Sequence, residues 1–191
     1  MPLIKLQQYS FKYQMVRLED IHFIKLYLDD LNGVKITAPT QKPWNKVEAF
    51  LMKKEDWILE KWKNIHPDLY ENEESNRLPY LGRKYKLLLS ADQVDEPLFI
   101  FSKGRFIFTY PENYNKVECL AMLNKHREKW LKNKAAEKFA LLTEVPVSVE
   151  EDYFRLGKKE KDAILLNWRL IHRSKRDISR HIEDLKHEKT F

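Results

Sequence analysis

The chain has 191 residues, 43% of them hydrophobic and 34% charged, with a formal net charge of +6 and only 4 glycines. That length and apolar content suffice for one sizeable domain or two small ones and exclude a disordered chain. The single cysteine, Cys119, excludes an internal disulfide and a cysteine-rich zinc site, and no apolar run approaches the ~20 residues of a membrane helix.

The N-terminal Met1-Pro2-Leu3-Ile4-Lys5-Leu6 has no apolar core of signal-peptide length, so the expected compartment is the reducing cytoplasm. A pI near 9.2 permits contact with nucleic acid without demanding it, because both signs of charge are interspersed along most of the chain. Cys119, followed by Leu120, Ala121 and Met122, reads as a buried helical thiol.

In chain order, Tyr9 to Tyr13 and Ile24 to Leu28 alternate at period two and predict strands. Asn32-Gly33 is a strong hairpin turn signal, and Val34 to Pro39 is the return strand, ended by its proline. A helix is predicted from Asn45 as N-cap, with Glu48 three residues on and Val47, Phe50, Leu51, Ile58 and Ile65 as its buried face. His66 to Asn76 is polar and acidic, opens with His-Pro, and reads as a linker.

The pattern then recurs. Tyr85 to Leu89 is a strand, Leu98 to Phe101 and Arg105 to Thr109 form a hairpin around Gly104, and Pro111 ends it. Asn115-Lys116-Val117-Glu118 repeats the letters of Asn45-Lys46-Val47-Glu48 and opens a helix to about Leu142, burying Val117, Leu120, Ala121, Leu131 and Ala135. The order reads as a β-β-α duplication. Val145 to Val149 is a short strand, Ala163 to Ile171 a buried strand, and Ser174 with Asp177 caps a terminal helix of about 14 residues. The expected fold is α+β, with antiparallel hairpins, two long helices and a short C-terminal strand-helix unit. The units fall at 1–65, 77–142 and 143–191, joined by the linker at 66–76.

Four segments carry a resemblance. They are Val34 to Pro39, Phe50 to Ile58 (FLMKKEDWI), Tyr80 to Leu87 (YLGRKYKL), and Arg155-Leu156-Gly157 with Ile164 to Leu170 (ILLNWRL). In this order they resemble the YgjP-like zinc metallohydrolases, described as metallopeptidase-like. The resemblance implies a Trp-Gly-Ser-Cys stretch, where this chain has Leu156-Gly157-Lys158-Lys159. It also implies a later helix bearing His-Glu-x-x-His, where this chain has Glu183-Asp184-Leu185-Lys186-His187.

In such a motif two ligands four residues apart share a helical face, and the residue between them is the general base. Glu183 and His187 keep that spacing and are the candidate metal ligands, with Asp184 as the candidate base. They are two, and a catalytic zinc takes three protein ligands plus an open position. His181 sits about 120° from the Glu183–His187 edge of the helix, and His22, His66, His126 and His172 share no ligand spacing. The alternative reading of the same helix is an apolar face of Ile178, Ile182 and Leu185 beside a surface ladder of Arg176, Arg180, Glu183 and His187.

Three functions follow as expectations. The first is a degenerate or truncated family member, a pseudoenzyme without zinc that acts as an interaction module, with Trp168, Leu170 and Ile171 as self-association contacts. The second is a basic accessory protein holding nucleic acid through Arg169, Arg173, Lys175, Arg176 and Arg180, with Trp168 stacking on a base. The third is an active variant zinc hydrolase using Glu183, Asp184 and His187. No membrane partner and no cofactor are expected unless the variant zinc site is real. No Gly-x-Ser-x-Gly elbow and no phosphate-binding glycine loop occurs.

Overall fold

Each strand needs two neighbours or an edge for its backbone groups, and this chain solves that problem three times in the same way. The computed structural model describes residues 3–6, 9–69, 76–152 and 154–187. An N-terminal hairpin pairs β1 (Leu3–Leu6) with β2 (Tyr9–Lys12). Then β3 (Gln14–Leu18), β4 (Lys25–Asp29) and β5 (Gly33–Pro39) form a sheet with β5 central, parallel to β3 and antiparallel to β4. Helices α1 (Trp44–Lys53) and α2 (Glu55–Ile65) follow, meeting at Lys54.

The second copy adds β6 (Arg77–Tyr80) at the edge of β7 (Arg83–Asp92), β8 (Leu98–Ser102) and β9 (Arg105–Pro111). Here β9 is parallel to β7 and antiparallel to β8, and α3 (Lys116–Ala140) follows. A third copy comprises β10 (Val147–Glu150), β11 (Gly157–Lys159) and β12 (Ile164–Asn167), with β12 central, parallel to β10 and antiparallel to β11. A 3₁₀ segment at Trp168–His172 and helix α4 (Lys175–His187) close it.

The expected α+β class holds, but each of these sheets is mixed rather than antiparallel, and the unit occurs three times where the sequence suggested two. The third copy was hidden because its hairpin carries no Asn-Gly or similar turn. Its apolar run, read as one strand from Ala163 to Ile171, also breaks at Asn167. There the Asn167 side chain accepts from the Arg169 N–H at 2.9 Å, which turns the chain into the 3₁₀ segment.

Two helix readings are corrected. Helix α1 starts at Trp44 behind Pro43, without a side-chain cap from Asn45, because proline already supplies an extended entry to the helix. On α3 the predicted capping box is present, with Asn115 accepting from the Val117 and Glu118 N–H groups and Glu118 accepting from the Asn115 N–H. Leu131 and Ala135 are buried as expected, but Val117, Leu120 and Ala121 are exposed. A helix of 25 residues spans about 37 Å, and it outruns the five- and seven-residue strands β8 and β9. Cys119 is half-buried.

The core of the second copy is aromatic. Trp130 of α3 meets the rings of Tyr80 and Phe106 edge-on at 5.2 and 5.3 Å, with Phe99 and Phe101 around them. Further along α3, Leu131, Ala135 and Phe139 are buried on the side that packs against β10 and the 3₁₀ segment.

The segments that carried the resemblance converge on one another. The Leu81 N–H donates to the Ile171 carbonyl at 2.8 Å and the Gly82 N–H to the His172 carbonyl at 3.0 Å. Leu156 donates to the Leu31 carbonyl at 2.9 Å, which seats the Asn32-Gly33 turn on the third copy. Gly33, at φ +76°, lies so close to this copy that a Cβ there would stand 1.5 Å from the Phe154 carbonyl oxygen. Arg155 is fully buried and pairs with Glu150 at 2.6 Å. Asn167 donates from its side-chain amide to the carbonyls of Asp152 and Arg155, so the interior polar groups of this copy bind one another. Burial pushes the Asp152 carboxyl up, against the opposing pull of Arg155.

Candidate functional site

Helix α4 carries the residues on which any metal chemistry would rest. Its start is set by Ser174, whose hydroxyl donates to the Asp177 carboxylate at 2.6 Å and accepts from the Asp177 N–H at 3.2 Å. That hydroxyl, and then Arg180 and Arg173, hold the Asp177 carboxyl below the ordinary range, against the effect of burial. From there α4 presents three faces. Ile178, Ile182 and Leu185 are fully buried.

The second face is solvent-exposed. Glu183 and His187 lie there, with side chains 56% and 85% exposed and 4.0 Å apart. Lys186 pairs with Glu183 at 2.7 Å and Arg180 with Asp177 at 3.3 Å. Asp184 is exposed as well. Of the expected ladder of Arg176, Arg180, Glu183 and His187, the Glu183–His187 contact is present, while Arg180 pairs with Asp177. Among the described residues no group of three or more His, Cys, Asp or Glu side chains is placed to hold a metal ion. A catalytic zinc takes three protein ligands plus an open position, and among the described residues no third His, Cys, Asp or Glu joins Glu183 and His187. His187→Ala is expected to change stability by less than about 0.5 kcal/mol, read from urea unfolding, because exposed pairs of this kind contribute little.

The third face holds the polar cluster of interest. His181 points inward, and its Nε2 lies 2.8 Å from one terminal nitrogen of Arg173. The other terminal nitrogen lies 3.0 Å from Nδ1 of His66, whose Nε2 is 2.9 Å from the Asp30 carbonyl oxygen. A guanidinium can only donate, so His181 Nε2 and His66 Nδ1 are acceptors and carry no proton. His66 then bears its hydrogen on Nε2 and donates to Asp30. One cation thereby joins the turn at Asp30, the end of α2, the segment before α4 and the middle of α4. His66 is buried against the Trp62 ring at 4.5 Å. The His181 imidazole is held below its ordinary pKa by burial first, then by Arg173 and Arg180, with Asp184 and Asp177 opposing.

His66 was placed in a linker and His181 set aside as off the Glu183–His187 edge, so neither was picked out. Residues 70–75 of the expected linker lie outside the described residues. The overlooked signal was spacing: His181 is three residues after Ile178 and four before Leu185, which places it at the border of the apolar face.

The basic cluster divides. Arg173 is half-buried between the two histidines, and Arg169 lies 4.5 Å from the Trp168 ring centroid, with Lys132 at 5.7 Å. Lys175, Arg176 and Arg180 are exposed. Trp168 is only 6% exposed and Leu170 and Ile171 are fully buried. Neither the expected self-association contacts nor base stacking on Trp168 is available, because the 3₁₀ segment packs these side chains against α3. Among the described residues no helix is long and apolar enough to cross a membrane.

Neither a curated protein nor a solved structure matches the chain. Residues 23–179 match the family model described as YgjP-like, metallopeptidase domain, a match that runs from just before β4 into α4 and stops four residues short of Glu183. Since it spans most of the chain, from β4 into α4, the chain belongs to the YgjP-like metallopeptidase-domain family.

Proposed function

We propose that this YgjP-like protein keeps the metallopeptidase scaffold without zinc-dependent hydrolysis and acts as a cytoplasmic interaction module. The observation that carries the reading is the division of α4. Its two candidate ligands face solvent, and its inward polar face is occupied by a guanidinium that satisfies both available imidazoles. A cation already held between two histidines leaves them no acceptor lone pair to offer a metal. The end of the family match before Glu183 supports the same reading.

The test is metal content of the full chain purified without chelators, by inductively coupled plasma mass spectrometry, together with peptide hydrolysis with and without chelator. Zinc well below one equivalent and no chelator-sensitive hydrolysis are expected. Near-stoichiometric zinc that disappears in His187→Ala would overturn the reading and restore a hydrolase built on Glu183, Asp184 and His187.

A further inference from the structure

A sheet ends in two strands whose outer backbone groups have no ladder partner, and such edges pair readily with another chain unless something blunts them. Among the described residues eight strands stand at edges: β1 and β2, β3 and β4, β6 and β8, β10 and β11. Seven of them contain a Lys, Arg, Asp or Glu within the strand, and β6 adds Pro79. The exception is β8, Leu98-Phe99-Ile100-Phe101-Ser102, which carries neither charge nor proline. Among the described residues its backbone hydrogen bonds go to β9 alone, so its other edge is open.

The side chains of β8 divide between the two faces of the sheet. Phe99 and Phe101 turn inward to Trp130 of α3, with ring centroids 6.0 and 6.2 Å away. Leu98 and Ile100 turn outward and are 55% and 37% exposed. The flanks carry opposite charge: Asp95 and Glu96 precede the strand, Lys103 and Arg105 follow it, and all four are exposed. The segment is thus acidic at one end, apolar in the middle and basic at the other. Such a pattern complements itself when a second copy is laid antiparallel with Ile100 opposite Ile100. Pro97 of each copy then faces Lys103 of the other, which brings Asp95 and Glu96 beside that lysine, with Arg105 one strand behind it. A parallel copy would set like charges together, which weakens a sheet.

We infer that β8 pairs antiparallel with β8 of a second copy of this chain, joining two four-stranded sheets into one of eight strands. The contact uses the same edge in both copies, so it closes at two. Across the outer face Ile100 meets Ile100, with Leu98 of each copy diagonal to it, and on the inner face Phe99 of one copy stands opposite Phe101 of the other. A strand pair of this length is smaller than a standard interface, so the dimer is a reversible one. The edge lies apart from the buried Trp168, Leu170 and Ile171 and from the Glu183–His187 face of α4. The inference therefore goes beyond the proposed loss of zinc chemistry and does not depend on it.

The test is analytical ultracentrifugation of the full chain between about 5 and about 500 μM, the range in which a small interface associates. The mass should rise with concentration from one copy, 23.1 kDa, toward two and no further. Ile100→Lys sets like charges opposite one another and should weaken association at least about tenfold. Leu141→Lys makes the same change at a site 74% exposed just past α3 and should stay within about twofold of the parent, and circular dichroism confirms that every variant is folded. The double variants Asp95→Lys, Glu96→Lys and Lys103→Glu, Arg105→Glu should each associate more weakly alone, and an equimolar mixture of the two should dimerise again. A strict monomer at the highest concentration would leave the edge to a different partner and overturn the inference. Equal losses in Ile100→Lys and Leu141→Lys would overturn it too, as would masses beyond two copies or a mixture no stronger than either double variant.

Discussion

Arg173→Met is expected to destabilise the fold by about 3 kcal/mol and to make its loss of stability in acid shallower. Methionine keeps most of the volume but supplies no donor. His66 Nδ1 and His181 Nε2 then lose their partner in surroundings where an unmet acceptor costs about 1–3 kcal/mol. The pH dependence follows from His181, whose folded-state pKa is lowered by burial first and by Arg173 next. On acidification the unfolded chain takes up this proton first. The stability contributed by the neutral imidazole is therefore complete above its unfolded value of about 6.5 and is lost as pH falls toward the folded value. Removing Arg173 removes its share of the depression and leaves the share due to burial. Urea unfolding of parent and variant across pH 5 to 8 reads both effects. Parallel curves, or a difference under about 1 kcal/mol at neutral pH, would show that the bridge holds nothing together.

For Gly33→Ala the expected loss is at least about 3 kcal/mol, or roughly 10 °C in Tm for a chain of this length. A left-handed φ of +76° alone costs an alanine about 1–2 kcal/mol. The remainder comes from the Phe154 carbonyl oxygen, 1.5 Å from where the Cβ must go. That oxygen is backbone and cannot rotate away, so the turn must lift from the third copy. The hydrogen bonds from Leu156 and Gly157 to the Leu31 carbonyl would go with it. Gly104→Ala provides the comparison, since its φ is +71° and nothing lies within 4 Å of its would-be Cβ, so only about 1 kcal/mol is expected. Thermal melts that fall equally for the two variants would mean that the hairpin is not seated on the third copy as described.

Local chemistry was legible wherever a few neighbouring residues decide the outcome. Asn115 and Glu118 cap α3 because their side chains reach backbone groups two or three residues away. Asn32-Gly33 turns the β4–β5 hairpin, and Ser174 with Asp177 starts α4 for the same kind of reason. The α+β class and the family resemblance rest on such segments, quoted in order along the chain. The fate of the apolar run after Ala163 was less legible, because the break at Asn167 depends on carbonyls 12 and 15 residues away that anchor its side chain.

What the sequence by itself determined about this protein is therefore its α+β class, its family segments and the starts of α3 and α4. Each of these depends on residues close enough in the chain for their spacing to reveal the contact. Only the tertiary structure decided that the strand unit occurs three times, and that Glu183 and His187 face solvent while His181 faces inward. It alone joined Arg173 to His66 across 107 residues of chain. The physical reason is that strand order, helix rotation and sheet register are set by packing between segments remote in sequence, and the spacing of residues within a segment carries no record of them.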